Sequence, residues 1–240
     1  MKTDTVYVVR LVSYSAVFTA IVFILTYMFA VYTPPTIGFF NIGEIGVYLS
    51  GLIGGPIVGA IAGGLGSAAA DIALGYPHYA PGTLVIKAVE GFLVGFLYQK
   101  LRKAGMLRRL LPSVVIAIVL GAFTALSYPE GITWVIGPGE APIIIHIPTL
   151  VILVISLVII GICFVLALSG KEKAIIFMSC IIAGIEMVLG YFLYEAYVLG
   201  FGLVALAEIP TNLLQMIVGT IVAAPTVITL REAGVIVESQ

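Results

Sequence analysis

Lys87 and Glu90 stand three residues apart, and so do Asn212 and Gln215. On a helix this spacing puts both members of each pair on one face. An ammonium beside a carboxylate can neutralise itself as an internal ion pair or hold a polar solute. Two amides offer donors and acceptors together, so they can grip a neutral heterocycle or simply bond neighbouring helices. Tyr191 and Tyr194 precede a further acid, Glu195; aromatics in such a place anchor a membrane interface or stack on a ligand. Asp71 ends a different series. Gly55, Gly59, Gly63 and Ser67 precede it at intervals of four, and Ala60, Gly64 and Ala68 widen the same small-residue face. Such a face lets helix backbones approach closely, so Asp71 points into a bundle. A carboxylate there costs at least about 2.5–3.5 kcal/mol and needs a partner. Lys87 is the basic residue at comparable depth. A helix-locking Asp71–Lys87 pair, a cap on the following loop "GYPHYAPG" and a direct ligand contact all fit. Glu44 and Glu186 complete the set, the latter equally well read as a neutral packing residue.

None of these groups forms a catalytic set. There is no G-x-x-x-x-G-K-[ST]; "SGKEK" at Ser169 to Lys173 lacks its spacing and hydroxyl, so no P-loop hydrolyses ATP here. G-x-S-x-G, H-E-x-x-H and an intramembrane GxGD are also missing, as is a valid G-x-G-x-x-G. His78 and His146 stand singly, and Cys163 and Cys180 lie inside apolar runs, which implies buried thiols and no metal site or disulfide framework. The expectation is a non-enzyme without cofactor or metal.

The elements that position these residues follow from composition. The 240-residue chain is 61% hydrophobic and 10% charged, with mean hydropathy +1.21. So few charges cannot cover a water-soluble domain of this size, and the long apolar runs predict an all-α, polytopic transmembrane bundle. The near-neutral balance, net −1, gives no basic arm for nucleic acid. Hydropathy predicts spans over about 11–31, 42–53, 56–75, 83–101, 112–127, 143–168, 174–198 and 207–230, the first retained rather than cleaved as a signal. The second and fifth are short for a bilayer, so they must tilt, pack inside the bundle or insert only partly. With both termini in the cytoplasm and every segment crossing, Lys2, Arg10, Lys100, Arg102, Lys103, Arg108, Arg109, Lys171, Lys173 and Arg231 face the cytoplasm. These are 10 of the 11 Lys+Arg residues; Lys87 is the exception. Glu130, Glu140 and both histidines fall to outer loops. Most buried polar groups lie in the outer half, which describes a pocket open on one side with no polar path through.

The residues also resemble a known family. "NIGEIGVYLSGLIGGPIVGAIAGGLGSAAADIALGY", Asn41 to Tyr76, and "YAPGTLVIKAVEGFLVGFLYQKL", Tyr79 to Leu101, are similar to substrate-binding S components of energy-coupling factor (ECF) vitamin transporters. The subgroup is the riboflavin type, which includes members assigned to hydroxymethylpyrimidine and vitamin B6 compounds. "EMVLGYFLYEAYVLGFGLVALAEIPTNLLQMIVG", Glu186 to Gly219, fits as well. Ala16-x-x-x-Ala20 in "SAVFTA" is similar to the alanine motif by which S components dock on a T component. The resemblance implies a six-helix core made of segments one to four, seven and eight. It also implies a vitamin pocket near Lys87, Glu90, Tyr191, Glu195, Asn212 and Gln215, with Asn41 and Glu44 by a gate loop. A T component and two ABC-type ATPases would drive transport. Residues 110–169 depart from the pattern as an inserted helical pair carrying Trp134 in its outer loop, a residue that either covers the pocket or anchors at the interface. The implied function is capture of a riboflavin-, pyridoxine- or hydroxymethylpyrimidine-type solute from outside. The competing readings are a self-sufficient secondary carrier, which should show inverted repeats, and an intramembrane enzyme using Asp71, Glu90 or Glu186.

Overall fold

The computed structural model describes residues 2–33, 38–127, 132–136 and 143–236. Among the described residues, eight α-helices run in chain order: α1 (Lys2–Met28), α2 (Glu44–Gly54), α3 (Pro56–Leu74), α4 (Ala80–Leu101), α5 (Met106–Ser127), α6 (Thr149–Ser169), α7 (Glu172–Leu193) and α8 (Ile209–Glu232). Two short antiparallel hairpins interrupt them. β1 (Val31–Thr33) pairs with β2 (Gly38–Phe40) in the register Val31 to Phe40, and β3 (Ile132–Ile136) pairs with β4 (Ile143–Ile147) in the register Ile132 to Ile147. Among the described residues, five stretches are long and apolar enough to cross a membrane: Thr5–Met28, Pro56–Leu74, Ala80–Leu101, Glu172–Val198 and Gly202–Glu232. The chain is an all-α, multi-pass membrane bundle.

Local chemistry explains the boundaries. Gly55 takes φ +85°, a conformation open to glycine, and lets α3 start at Pro56 directly behind α2. Gly75 ends α3 in the left-handed conformation at φ +88°. The expected start of a helix at Ile143 is corrected: Ile143–Ile147 is a strand. The run "IIIHI" is β-branched and is followed by Pro148, which disfavours helix in the residue before it, so α6 begins only at Thr149. The fifth helix, in turn, starts earlier than the expected Pro112. Pro112 sits inside α5 and gives up its bond to the carbonyl of Arg108 near the polar end. α2 is short because it is an interior helix. Val47, Tyr48, Ser50 and Leu52 are buried, and it packs on α1, α3, α4 and α8.

The small-residue face of α3 makes a close backbone joint with α4. A Cβ on Gly59 would collide with the carbonyl oxygen of Gly91 on α4, and one on Gly91 would collide with that of Gly59. A Cβ on Gly63 would come within 2.5 Å of the Lys87 carbonyl. The seam therefore sets α3 backbone to backbone on α4. α7 packs on α4 and α8, while α5 and α6 pack chiefly on each other and reach the rest through α7 and through Arg109 Nε, which donates to the Leu101 carbonyl of α4 at 3.1 Å. Glu130 and Glu140 lie outside the described residues, as do the side chains of Trp134 and His146.

Candidate functional site

The glycine seam ends where a hollow begins. The next small-face positions on α3, Ser67 and Asp71, open into this hollow, which also receives Thr83 and Lys87 from α4. Tyr191 and Glu195 enter it from the end of α7, and Glu208, Asn212 and Gln215 from the start of α8. Thr26 of α1, Phe39 of β2 and Asn41 close the remaining side. Counted out to open solvent, the hollow spans about 460 Å³. It lies where α1, α3 and α7 end and α2, α4 and α8 begin. The basic residues mark the opposite end of the bundle, so the hollow has the one-sided placement expected from the sequence.

Of the eight residues expected to contact solute, Lys87, Tyr191, Glu195, Asn212, Gln215 and Asn41 line this hollow. Glu44 and Glu90 do not; both are fully buried behind Lys87 and form ion pairs with it, Glu90 at 3.1 Å. Of the pairings open to Lys87 from the sequence, the internal one with Glu90 is present and the helix-locking one with Asp71 is not. Lys87 turns its ammonium to Glu44 and Glu90 and lies over the Tyr191 ring at 5.5 Å, because two carboxylates close behind it hold a buried cation better than one across the hollow. Asp71 meets the Thr83 hydroxyl instead, and its Oδ2 has no partner. Asn41 spends its carbonyl oxygen on the backbone N–H of Gly43 at 2.8 Å, shaping the entry to α2.

The far wall is held rigidly. The hydroxyl of Tyr191 donates to Thr83 Oγ1 at 3.0 Å, that of Tyr79 to Glu195 Oε1 at 3.3 Å, and that of Tyr194 to the carbonyl of His78 at 2.7 Å. These bonds tie the end of α7 to the α3–α4 turn. Residues Tyr194–Val198 form a π-helical turn, a widening found often at functional sites, and Glu195 sits in it, 2% exposed. On α8, Gln215 Nε2 donates to Asn212 Oδ1 at 2.9 Å, which leaves Gln215 Oε1 without a partner. Phe39 rests on Tyr76 with ring centroids 5.0 Å apart, so β2 leans over the α3–α4 turn. β3 lies beside the turn at Gly202–Glu208 at the rim.

Thr26, Ser67, Tyr79, Thr83 and Glu208 also line the hollow, and the sequence reading left them out of the site. Two had a usable signal: Ser67 and Asp71 are successive steps of the small-residue series, and Thr83 and Lys87 are four apart on α4. Ala16 and Ala20 lie elsewhere, exposed on the outer surface of α1. No group of three or more His, Cys, Asp or Glu placed to hold a metal occurs among the described residues.

Comparison with known proteins adds two findings. The chain is 41% identical over 108 residues to an uncharacterized protein of Pyrococcus woesei, a match covering 45% of this chain and 68% of that one. The family model for the ECF-type riboflavin transporter S component matches residues 7–170, from α1 to the end of α6. With its helical membrane bundle and these 164 matched residues, the chain belongs to the ECF-type riboflavin transporter S component family.

Proposed function

We propose that this protein is the solute-binding subunit of an ECF-type importer. It captures a vitamin or related small nitrogen heterocycle from outside the cell and delivers it with a T component and two ABC-type ATPases. Both termini and the basic end face the cytoplasm, which leaves the hollow on the outer side. The reading is carried by one observation: buried polar side chains from α3, α4, α7 and α8, far apart in sequence, converge on one hollow at one end of the bundle. Intramembrane polar groups are costly unless they face a cavity or one another. The substrate-contacting residues are Lys87, Tyr191, Glu195, Asn212, Gln215 and Asn41, with Glu44 and Glu90 fixing Lys87. Asp71 contributes to the wall.

In this reading α1–α4, α7 and α8 form the working bundle within a single domain, and 110–169 is an inserted pair. Its support is that α5 and α6 pack chiefly on each other. Ala16 and Ala20, small and exposed, form the docking face for the T component. The test has two parts. The chain purified alone should carry a vitamin-like compound at close to one per protein by native mass spectrometry. Uptake into cells should then require the ATPases, and Ala16→Trp with Ala20→Trp should abolish uptake while binding persists. Uptake by the chain alone would make it a secondary carrier; no bound compound and no uptake under either condition would remove the reading.

A further inference from the structure

At the basic end of the bundle a second space opens, a cleft of about 900 Å³ between the start of α1, the α2–α3 junction and the end of α4. It exists because α1 leaves the bundle there. Ser15, Val22 and Thr26 of that helix are buried, whereas residues 5–10 are all exposed. Tyr7, Arg10, Leu11 and Tyr14 line the cleft at the spacing of one helix face. Across from them stand Ile53, Ile57 and Val58, at the α2–α3 junction, and Gln99 of α4. The walls are therefore largely apolar and carry one cation and one amide. Neither Arg10 nor Gln99 has a partner among the described residues. Arg10 also lies within the apolar span Thr5–Met28, where a guanidinium without a counter-charge is costly. A gap of this size between membrane helices does not stay empty, and water filling it would have to wet apolar walls.

From this we infer that the cleft holds an anionic phospholipid of the leaflet on the basic side, a ligand separate from the solute of the hollow. Its phosphate meets the Arg10 guanidinium, whose planar fork suits two phosphate oxygens at once, and the Gln99 amide donates beside it. Its acyl chains cover Leu11, Ile57 and Val58. Tyr7 and Tyr14 stand at headgroup level, where amphipathic rings belong. Basic pockets between helices on the cytoplasmic side take this class of headgroup. A T component fits the cleft less well. Ala16 stands about two and a half turns beyond Tyr7, on the opposite side of α1, so the face proposed for docking is turned away from the cleft. The lipid wedges the first turns of α1 against the bundle. Nothing in this depends on which solute the hollow takes.

The experiment uses the full chain in a neutral detergent, stripped of native lipid. It is titrated with dioleoyl phosphatidylglycerol or dioleoyl phosphatidylcholine, which share their chains and differ in headgroup charge, and native mass spectrometry counts the lipid bound. About one phosphatidylglycerol per chain should bind, about fivefold more tightly than phosphatidylcholine, the scale of one basic residue against an anionic lipid. Arg10→Gln should bring that preference below about twofold and leave the unfolding temperature of the lipid-free protein unchanged. Lys103→Gln removes an exposed charge from the same end but outside the cleft, and should leave the preference whole. Ile57→Trp fills the cleft while keeping Arg10, and should weaken both lipids alike; it serves as the second variant should Arg10→Gln fold poorly. Equal binding of the two lipids overturns the inference, as does undiminished binding in both Arg10→Gln and Ile57→Trp. An equal loss in Lys103→Gln would mean diffuse attraction to the basic end and also overturns it. Inorganic phosphate displacing the lipid at equal concentration would make the cleft a free-anion site, with the same consequence. Arg10→Gln that abolishes uptake while the lipid preference stays intact would assign the cleft to the T component and overturn the inference too.

Discussion

At its basic end the bundle closes a clasp. Arg231 of α8 pairs with Glu172 of α7 and bonds the Tyr98 hydroxyl of α4, while its Nη2 donates to the Leu52 carbonyl of α2 at 3.2 Å. Tyr98 in turn donates to Glu172 at 2.5 Å, and the guanidinium lies 4.5 Å from the Tyr98 ring centroid. At the other end α3, the turn that follows α7, and α8 bring together Asp71, Glu195 and Gln215, each with an oxygen left over. The clasp's groups pair with one another, Arg231 Nε excepted, and so hold helices together; acceptors that converge on one hollow are placed for something that comes from elsewhere. The contrast separates polar residues that build the bundle from those that would recognise a solute.

Substitutions at the two ends should therefore fail differently. The largest effect is expected at the junction between the hollow and its support. Lys87→Met leaves Glu44 and Glu90 buried without their counter-charge, so the bundle should lose about 3–5 kcal/mol, visible as a marked fall in unfolding temperature in detergent. Adding Glu44→Gln to that variant should recover part of the loss. Next comes Asn212→Ala. It should weaken solute binding about tenfold, near 1.4 kcal/mol, with little change in unfolding temperature by the same assay. Arg231→Met should show the mirror image, about 1 kcal/mol of stability lost, since Glu172 is half exposed and screened, and affinity unchanged by calorimetry. The smallest effect belongs to Lys173→Met. Its 2.5 Å pair with Glu232 is largely solvent-exposed, so thermal unfolding should move by less than about 0.5 kcal/mol.

How far the sequence speaks differs along the chain. Periodicity exposed the seam on α3 because a stripe of glycine has few other uses, and it placed Asp71 facing inward. It could not say which helix fills the seam, since Gly91 and Lys87 contribute backbone there and backbone leaves no mark on residue type. The Glu90 partner of Lys87 is legible from its spacing; the second partner, Glu44, is not, for a related reason. Glu44 is 43 residues away, on an interior helix whose depth hydropathy does not give. Thr26 and Thr83 are ordinary hydroxyls in apolar helices, where bonding back to the helix is the common fate; only the three-dimensional convergence marks them. The sequence reads β4 as the start of a helix, because an unbroken apolar run looks alike in either state, and leaves β3 inside the preceding outer loop.

The central claim is that the polar residues inside this bundle face a hollow reached from the end opposite the basic residues. Thr83→Cys tests it directly, since the native thiols Cys163 and Cys180 are buried and give little background. A membrane-impermeant thiol reagent, applied to right-side-out and inside-out vesicles, should label Thr83→Cys only from the outer face. Labelling only from the cytoplasmic face would contradict the account.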